Sequence, residues 1–268
     1  VPVFGLMVLA GSCLVDGPDE SPSTGTTQRQ AEASPPAAVT MISRLPGTFS
    51  VTDDGQASYT VPLEVPAGRG LAPELALRYR SRGSNGAVGV GFSLVGASSQ
   101  ISRCSRTFAS DGVRRAVSFT DDDVFCWDGQ RLVGHVDPGD GAAQRSYRTQ
   151  IESHARIVAR GIGPQGPSSF QVWHRDGRIL TYDMRLRGLR RVPAGRDMVP
   201  GPEVTYAWLL TRVEDRAGNF MTVEYFAPPR DPGPVEAVPV LIQYGGHTSG
   251  VAPSRSVKLD YDLRPDQR

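Results

Sequence analysis

ASYTVPLEVPAGRGLAPELALRY, residues Ala57 to Tyr79, is the stretch that decides the fold. Tyr59, Val61, Leu63 and Val65 fall on alternate positions, and so do Leu75, Leu77 and Tyr79. Successive side chains leave a strand on opposite faces, so a period of two marks a half-buried β-strand. Pro62 has no amide hydrogen for a ladder, which predicts an edge or bulged position for the first strand. Pro73, within the Ala- and Leu-rich run Leu71 to Leu77, suits the approach to a strand better than a helix interior.

Downstream the same alternation returns at Val257, Leu259 and Tyr261. Between these limits the turn signals are specific. FQVWHR-DG-RILTYD places Asp176-Gly177 between two strand-like runs, and VFCW-DG-QRLV does the same with Asp128-Gly129. An Asp-Gly pair supplies the two positive φ angles of a type I′ turn. A third hairpin is predicted over Trp208 to Phe226, turning at Ala217-Gly218-Asn219. No window carries sustained helical periodicity. The predicted class is all-β, with antiparallel, hairpin-rich sheets.

Upstream the chain changes character. Val1 to Ala10, VPVFGLMVLA, is apolar but shorter than the roughly 20 residues that span a bilayer. It suits the apolar core of a secretory signal. Ala10-Gly11-Ser12-Cys13 resembles a lipobox, although Leu9 stands one place too far from the cysteine. Two readings stay open for residues 1–15: a lipoprotein signal that leaves lipid on Cys13, or a plain cleaved signal. Within residues 16–44, the stretch Asp16 to Thr40 holds almost no large apolar side chain and is rich in Pro, Ser and Thr. Such a segment cannot bury enough surface to offset its ordering entropy, so a tether is expected there. The folded domain is expected over residues 45–268.

Composition narrows the function classes. Gly 30 and Pro 22 in 268 residues demand frequent turns. The net charge of +1 argues against a nucleic-acid partner, which needs clustered excess positive charge. Lys258 is the one lysine, and the arginine excess reads as coding bias rather than as phosphate recognition. Gly89-Val90-Gly91-Phe92-Ser93-Leu94 lacks the last glycine of a phosphate-cradling GxGxxG, and tight turns explain its glycines better. Asp121-Asp122-Asp123 lacks the alternating ligands of a calcium loop and reads as a solvated turn. His135, His154, His174 and His247 show no metal-ligand spacing, and His174 is expected on an exposed strand face.

Three cysteines are present, Cys13, Cys104 and Cys126. If Cys13 is lipidated or removed, an even pair remains, and export makes Cys104–Cys126 a disulfide candidate. The alternative is two buried thiols. A bridge closing this loop would contribute roughly 3 kcal/mol.

The run from Leu45 to Gly112 resembles the opening of the N-terminal domain of the Salmonella plasmid virulence protein B (SpvB) family. The same domain opens the B component of insecticidal toxin complexes. The likeness continues in order along the chain. Arg103-Cys104-Ser105-Arg106-Thr107 with Asp111-Gly112 is similar to the family's RC.RT…DG segment. Phe125 to Leu132 is similar to FCLDGQRL, Ser146 to Thr149 with Ile151-Glu152 to YRTEI, and Phe170 to Gly177 to F.VW..DG. Asp215-Arg216-Ala217-Gly218-Asn219 followed by Tyr225 resembles DR.GN…Y, which is also the signature of Rhs and YD repeats.

The resemblance implies a structural toxin module. In toxin-complex B components this domain begins a hollow β shell that, with the C component, encloses a cytotoxic polypeptide. In the Salmonella protein a similar domain precedes an ADP-ribosyltransferase that modifies actin. That transferase needs an Arg, a Ser-Thr-Ser strand and a Glu-x-Glu loop. Neither Ser-Thr-Ser nor Glu-x-Glu occurs here, and Gln150-Ile151-Glu152 lies in a predicted strand without the other parts. The expectation is therefore a non-enzyme, with no catalytic, cofactor-binding or metal-ligating residue.

The expected function is a non-catalytic structural module of an exported toxin or virulence protein, helping a β shell to carry or translocate a toxin. Its expected partners are the remainder of such a shell or a C-component-like polypeptide, with membrane anchoring if Cys13 carries lipid. Its expected location is extracellular or outer-membrane-anchored. This reading predicts open strand edges, the partner of Ser256–Leu263 lying beyond Arg268. The alternative is a free-standing binding lipoprotein at the cell surface or in the medium. A hydrolase with a dispersed site would instead need a deep pocket with converging carboxylates.

Overall fold

The computed structural model describes residues 4–8, 46–52, 55–120, 122–194, 196–228 and 236–263. Cys13 and the expected tether lie outside the described residues. In chain order the strands begin with β1 (Phe4–Val8), β2 (Thr48–Val51), β3 (Ala57–Leu63), β4 (Leu75–Arg80), β5 (Asn85–Gly86), β6 (Gly89–Val90) and β7 (Phe92–Val95). Then come β8 (Gln100–Cys104), the short helix α1 (Phe108–Asp111), β9 (Val124–Trp127), β10 (Gln130–His135), β11 (Gln144–Thr149) and β12 (Arg156–Arg160). The remainder is β13 (Ser169–Trp173), β14 (Ile179–Ala194), β15 (Asp197–Glu214), β16 (Asn219–Phe226), β17 (Val238–His247) and β18 (Arg255–Leu263).

The strands β8 to β15 form an antiparallel meander, each paired with the next. Pairing of Ser102 with Ala207, and of Ile101 with Trp208, joins β15 back to β8 and closes the meander into a barrel of eight strands. A barrel of that size is filled by its own side chains. Trp208 sits at its centre, fully buried, with Phe170 and Phe125 edge-on at centroid distances of 5.0 and 5.5 Å. Its indole N–H donates to Pro167 C=O at 2.9 Å, so the one polar atom of the ring is satisfied.

β15 does not stop at the barrel. Arg212 to Glu214 pair with β16, and the sheet runs on through β17 and β18 to β1. Bulges in the β14–β15 pairing bend the long hairpin where it serves both structures. The four-stranded sheet β2-β3-β4-β7 packs on the extension, with Leu75, Leu94 and Ala97 against Val223, Ile242 and Leu259.

The turns refine the sequence reading. Asp128 and Gly129 both have positive φ (47° and 84°), and Trp127 pairs with Gln130, as a two-residue type I′ hairpin requires. Asp176-Gly177 does not form a type I′ turn. His174 N–H bonds to Arg178 C=O and Gly177 N–H to His174 C=O, with only Gly177 at positive φ. This is a three-residue loop, a type I turn closed by a left-handed glycine. The same loop recurs at Arg216-Ala217-Gly218, one residue earlier than expected, with Gly218 at φ 83°.

Pro62 lies in an inner strand rather than at an edge. β2 ends opposite Thr60, however, so at Pro62 β3 has a partner on one side only. β18 pairs with β17 and, on its other side, with β1, so its neighbour in this structure comes from the expected signal segment rather than from beyond Arg268.

Candidate functional site

Two of the motif segments, RC.RT…DG and FCWDGQRL, meet on the first strands of the barrel. β8 and β9 lie side by side, with Ser102 opposite Cys126 and Cys104 opposite Val124. Cys104 and Cys126 are joined there as a disulfide, with their Cα atoms 5.9 Å apart. The bridge ties the first two strands of the barrel together.

Next to it is an ion pair that the sequence did not reveal. Arg103 Nη1 lies 3.2 Å from Asp123 Oδ2, and both side chains are almost wholly buried, at 4% and 3% exposure. Arg103 Nε donates to Thr205 C=O, Nη1 also donates to Thr120 C=O, and the guanidinium lies 5.5 Å over the Phe125 ring. Asp123 accepts from Ser118 N–H and Oγ and from Thr120 N–H. Burial pushes the Asp123 carboxyl up, but the Ser118 bonds and the Arg103 charge more than offset it and hold it below the ordinary value. The Asp121-Asp122-Asp123 reading is corrected accordingly: Asp122 is solvated, whereas Asp123 is a buried anchor.

The other motif residues are structural in the same way. Thr107 caps α1, its hydroxyl accepting from Ser110 N–H, and Gly112 closes the helix at φ 68°. Asp111 accepts from Thr107 N–H and pairs with Arg131, so the RC.RT…DG and FCWDGQRL segments are joined by a partly buried ion pair. In the Asp215–Asn219 turn, Asp215 Oδ1 accepts from Ala217 and Asn219 N–H, and Oδ2 from Asn219 Nδ2. His247 Nε2 lies 2.7 Å from Ala217 C=O, linking this turn to the end of β17.

Near the Asp128 turn, Tyr182 Oη bonds to Ser99 Oγ and accepts from Trp127 Nε1, at 2.8 and 2.7 Å. Burial raises the Tyr182 phenol well above its usual range. Asp128 accepts from Ser99 Oγ and Gln100 N–H, yet burial leaves its carboxyl raised. Gln150, Ile151 and Glu152 lie past the end of β11 rather than in a strand, and Glu152 Oε1 accepts from His154 N–H. His174 lies in the β13–β14 turn rather than on an open strand face.

Comparison with known proteins places this arrangement. The family described as "Salmonella virulence plasmid 65kDa B protein" matches residues 51–231. Mono(ADP-ribosyl)transferase SpvB of Salmonella choleraesuis is 44% identical over 193 residues, which take in 65% of this chain and 30% of that relative. The N-terminal domain of effector protein SpvB from Salmonella typhimurium overlays with a TM-score of 0.51 at 24% identity, over 75% of this chain and 69% of that one. TcdB2-TccC3 overlays with a TM-score of 0.58 at 21% identity, over 84% of this chain and 12% of that one. Both overlays show the fold.

The expectation of a non-enzyme is corrected by the first of these relatives, which carries an enzyme's name. The chain matches less than a third of that protein, so the lack of Ser-Thr-Ser and Glu-x-Glu in these 268 residues does not extend to a whole protein of this kind.

Proposed function

Because the chain belongs to the family of the Salmonella virulence plasmid 65kDa B protein, we propose that it is a structural module of an exported virulence or toxin protein. In this reading the barrel and its sheet extension are the opening segment of a larger β shell that carries or translocates a toxin. The observation that carries it is the overlay on TcdB2-TccC3: 84% of this chain corresponds to 12% of a far larger structure with the same local fold. The partners in this reading are the remainder of the shell or a C-component-like polypeptide.

Export by the signal in residues 1–15 belongs to the same proposal, with lipid on Cys13 as one form of it. The Cys104–Cys126 bridge fits an oxidising compartment. Cell fractionation of the native gene product, followed by protease treatment of what co-purifies, tests the proposal. The expected result is an exported protein holding a polypeptide that resists protease until the shell is opened. Retention in the cytoplasm with no protected polypeptide would contradict it.

A further inference from the structure

β4 carries a row of cations that the shell role does not use. Arg78 and Arg80 point to the face opposite Leu75, Leu77 and Tyr79, and Arg82 follows two residues later. Among the described residues none of the three has an acidic partner within ion-pair distance, although nine arginine or lysine pairs with a carboxylate are found there. All three line a cleft of about 730 Å³ between the four-stranded sheet and the Asp128 turn of the barrel.

The cleft runs along β7, from Gly91 to Gly96, and β7 is the outer strand of its sheet. Arg80 N–H bonds to Gly91 C=O, so antiparallel alternation turns the amide groups of Phe92 and Leu94 outward, toward the cleft. Leu94 C=O is taken by Ser98 Oγ. Gly91 N–H is taken by Ser84 C=O and Phe92 C=O lies beside Gly86, which leaves the N–H groups of Phe92 and Leu94 along the open part of the edge. Opposite the arginines, β7 carries only small residues, with Ser93 beside Arg78 and Gly91 beside Arg80. The guanidinium groups therefore have a clear lane across β7 to its outer edge. Asp128, on the far wall, already accepts from Ser99 and Gln100.

We propose that this cleft binds an acidic peptide segment in extended form, added to β7 as a further strand. An open strand edge supplies main-chain hydrogen bonds to such a segment, and side chains set its specificity. Alternate residues on any strand recur at about 6.8 Å, so carboxylates at alternate ligand positions keep step with Arg78 and Arg80, while Arg82 reaches in from the turn beyond β4. Each guanidinium can meet a carboxylate with two parallel hydrogen bonds. A polyphosphate could meet the arginines but has no main chain to pair along β7.

The test is fluorescence anisotropy of the full chain with labelled peptides of about ten residues. One alternates Thr and Glu; the other has the same composition with its Glu residues in one block. The alternating peptide is expected to bind, and the block peptide to bind about tenfold more weakly or worse. Arg78→Gln with Arg80→Gln is expected to weaken the alternating peptide by about tenfold or more. Arg82→Gln, beyond the end of β4, is the second variant should the double one fail to fold, and it is expected to weaken binding severalfold. Arg114→Gln, on an exposed loop, serves as the control and is expected to change nothing. No binding, equal binding of the two peptides, insensitivity to both cleft variants, or polyphosphate binding as tightly as the alternating peptide would each overturn the proposal.

Discussion

Removal of the Cys104–Cys126 bridge is the perturbation whose size follows most directly from the structure. The bridge closes a loop with a sequence separation of 22. Chain-entropy reasoning assigns such a loop about 11 cal/mol/K, or about 3 kcal/mol at 25 °C. Replacing both residues, Cys104→Ala with Cys126→Ala, should lower stability by that amount. For a domain of this size, each kcal/mol moves the melting temperature by about 2–4 °C, so a fall of about 6–12 °C is expected by circular dichroism. Cys126 is nearly buried, so loss of its sulfur adds a packing contribution of its own. Reduced wild-type protein, which keeps both side chains, separates the two effects. Intact mass should differ by about 2 Da between oxidised and reduced protein, one hydrogen for each sulfur in the bond. A melting shift below about 3 °C in both the variant and the reduced protein would refute the reasoning.

Three further outcomes are expected. Trp208→Ala should cost about 3–5 kcal/mol in urea unfolding, because it empties the centre of the barrel and leaves Pro167 C=O without its donor. Asp123 has its carboxyl held below 3.8 in the folded state, so its contribution is present above that value and is lost as pH falls through the lowered one. Wild-type stability should therefore drop more steeply than that of Asp123→Asn when acid unfolding is followed from about pH 5 downward. Gly218→Ala should cost about 1–2 kcal/mol, since φ is 83° and an added Cβ would lie 2.4 Å from Thr248 Oγ1; a melting curve unchanged from wild type would count against the turn geometry.

What the sequence made legible was local. Tyr59, Val61 and Leu63 announced β3 because one face of it is apolar, and Asp128-Gly129 announced its hairpin because two positive φ angles leave few residue choices. The same dipeptide misled at Asp176-Gly177, where one extra residue in the loop changes the turn and only Gly177 needs positive φ. Barrel closure was invisible, because the Ser102–Ala207 pairing joins residues far apart in the chain and carries no local signal. The outer half of the β14–β15 hairpin was equally hidden. Arg187, Arg190, Arg191, Pro193 and Pro200 interrupt the alternation, and this part extends beyond the pairing with β8.

The motif residues were legible as positions but not as roles. Arg103 and Asp123 show their purpose only when 20 residues of chain bring them together, and Asp111 meets Arg131 in the same manner. The signal for the Arg78, Arg80 and Arg82 row was present as alternation, but of charge rather than of apolar side chains.

Electron microscopy of the native full-length gene product should show a hollow particle, with this barrel and its sheet extension forming one segment of a continuous β wall. A particle no larger than this domain, with no enclosed space and no strands continuing its sheet, would contradict the shell role.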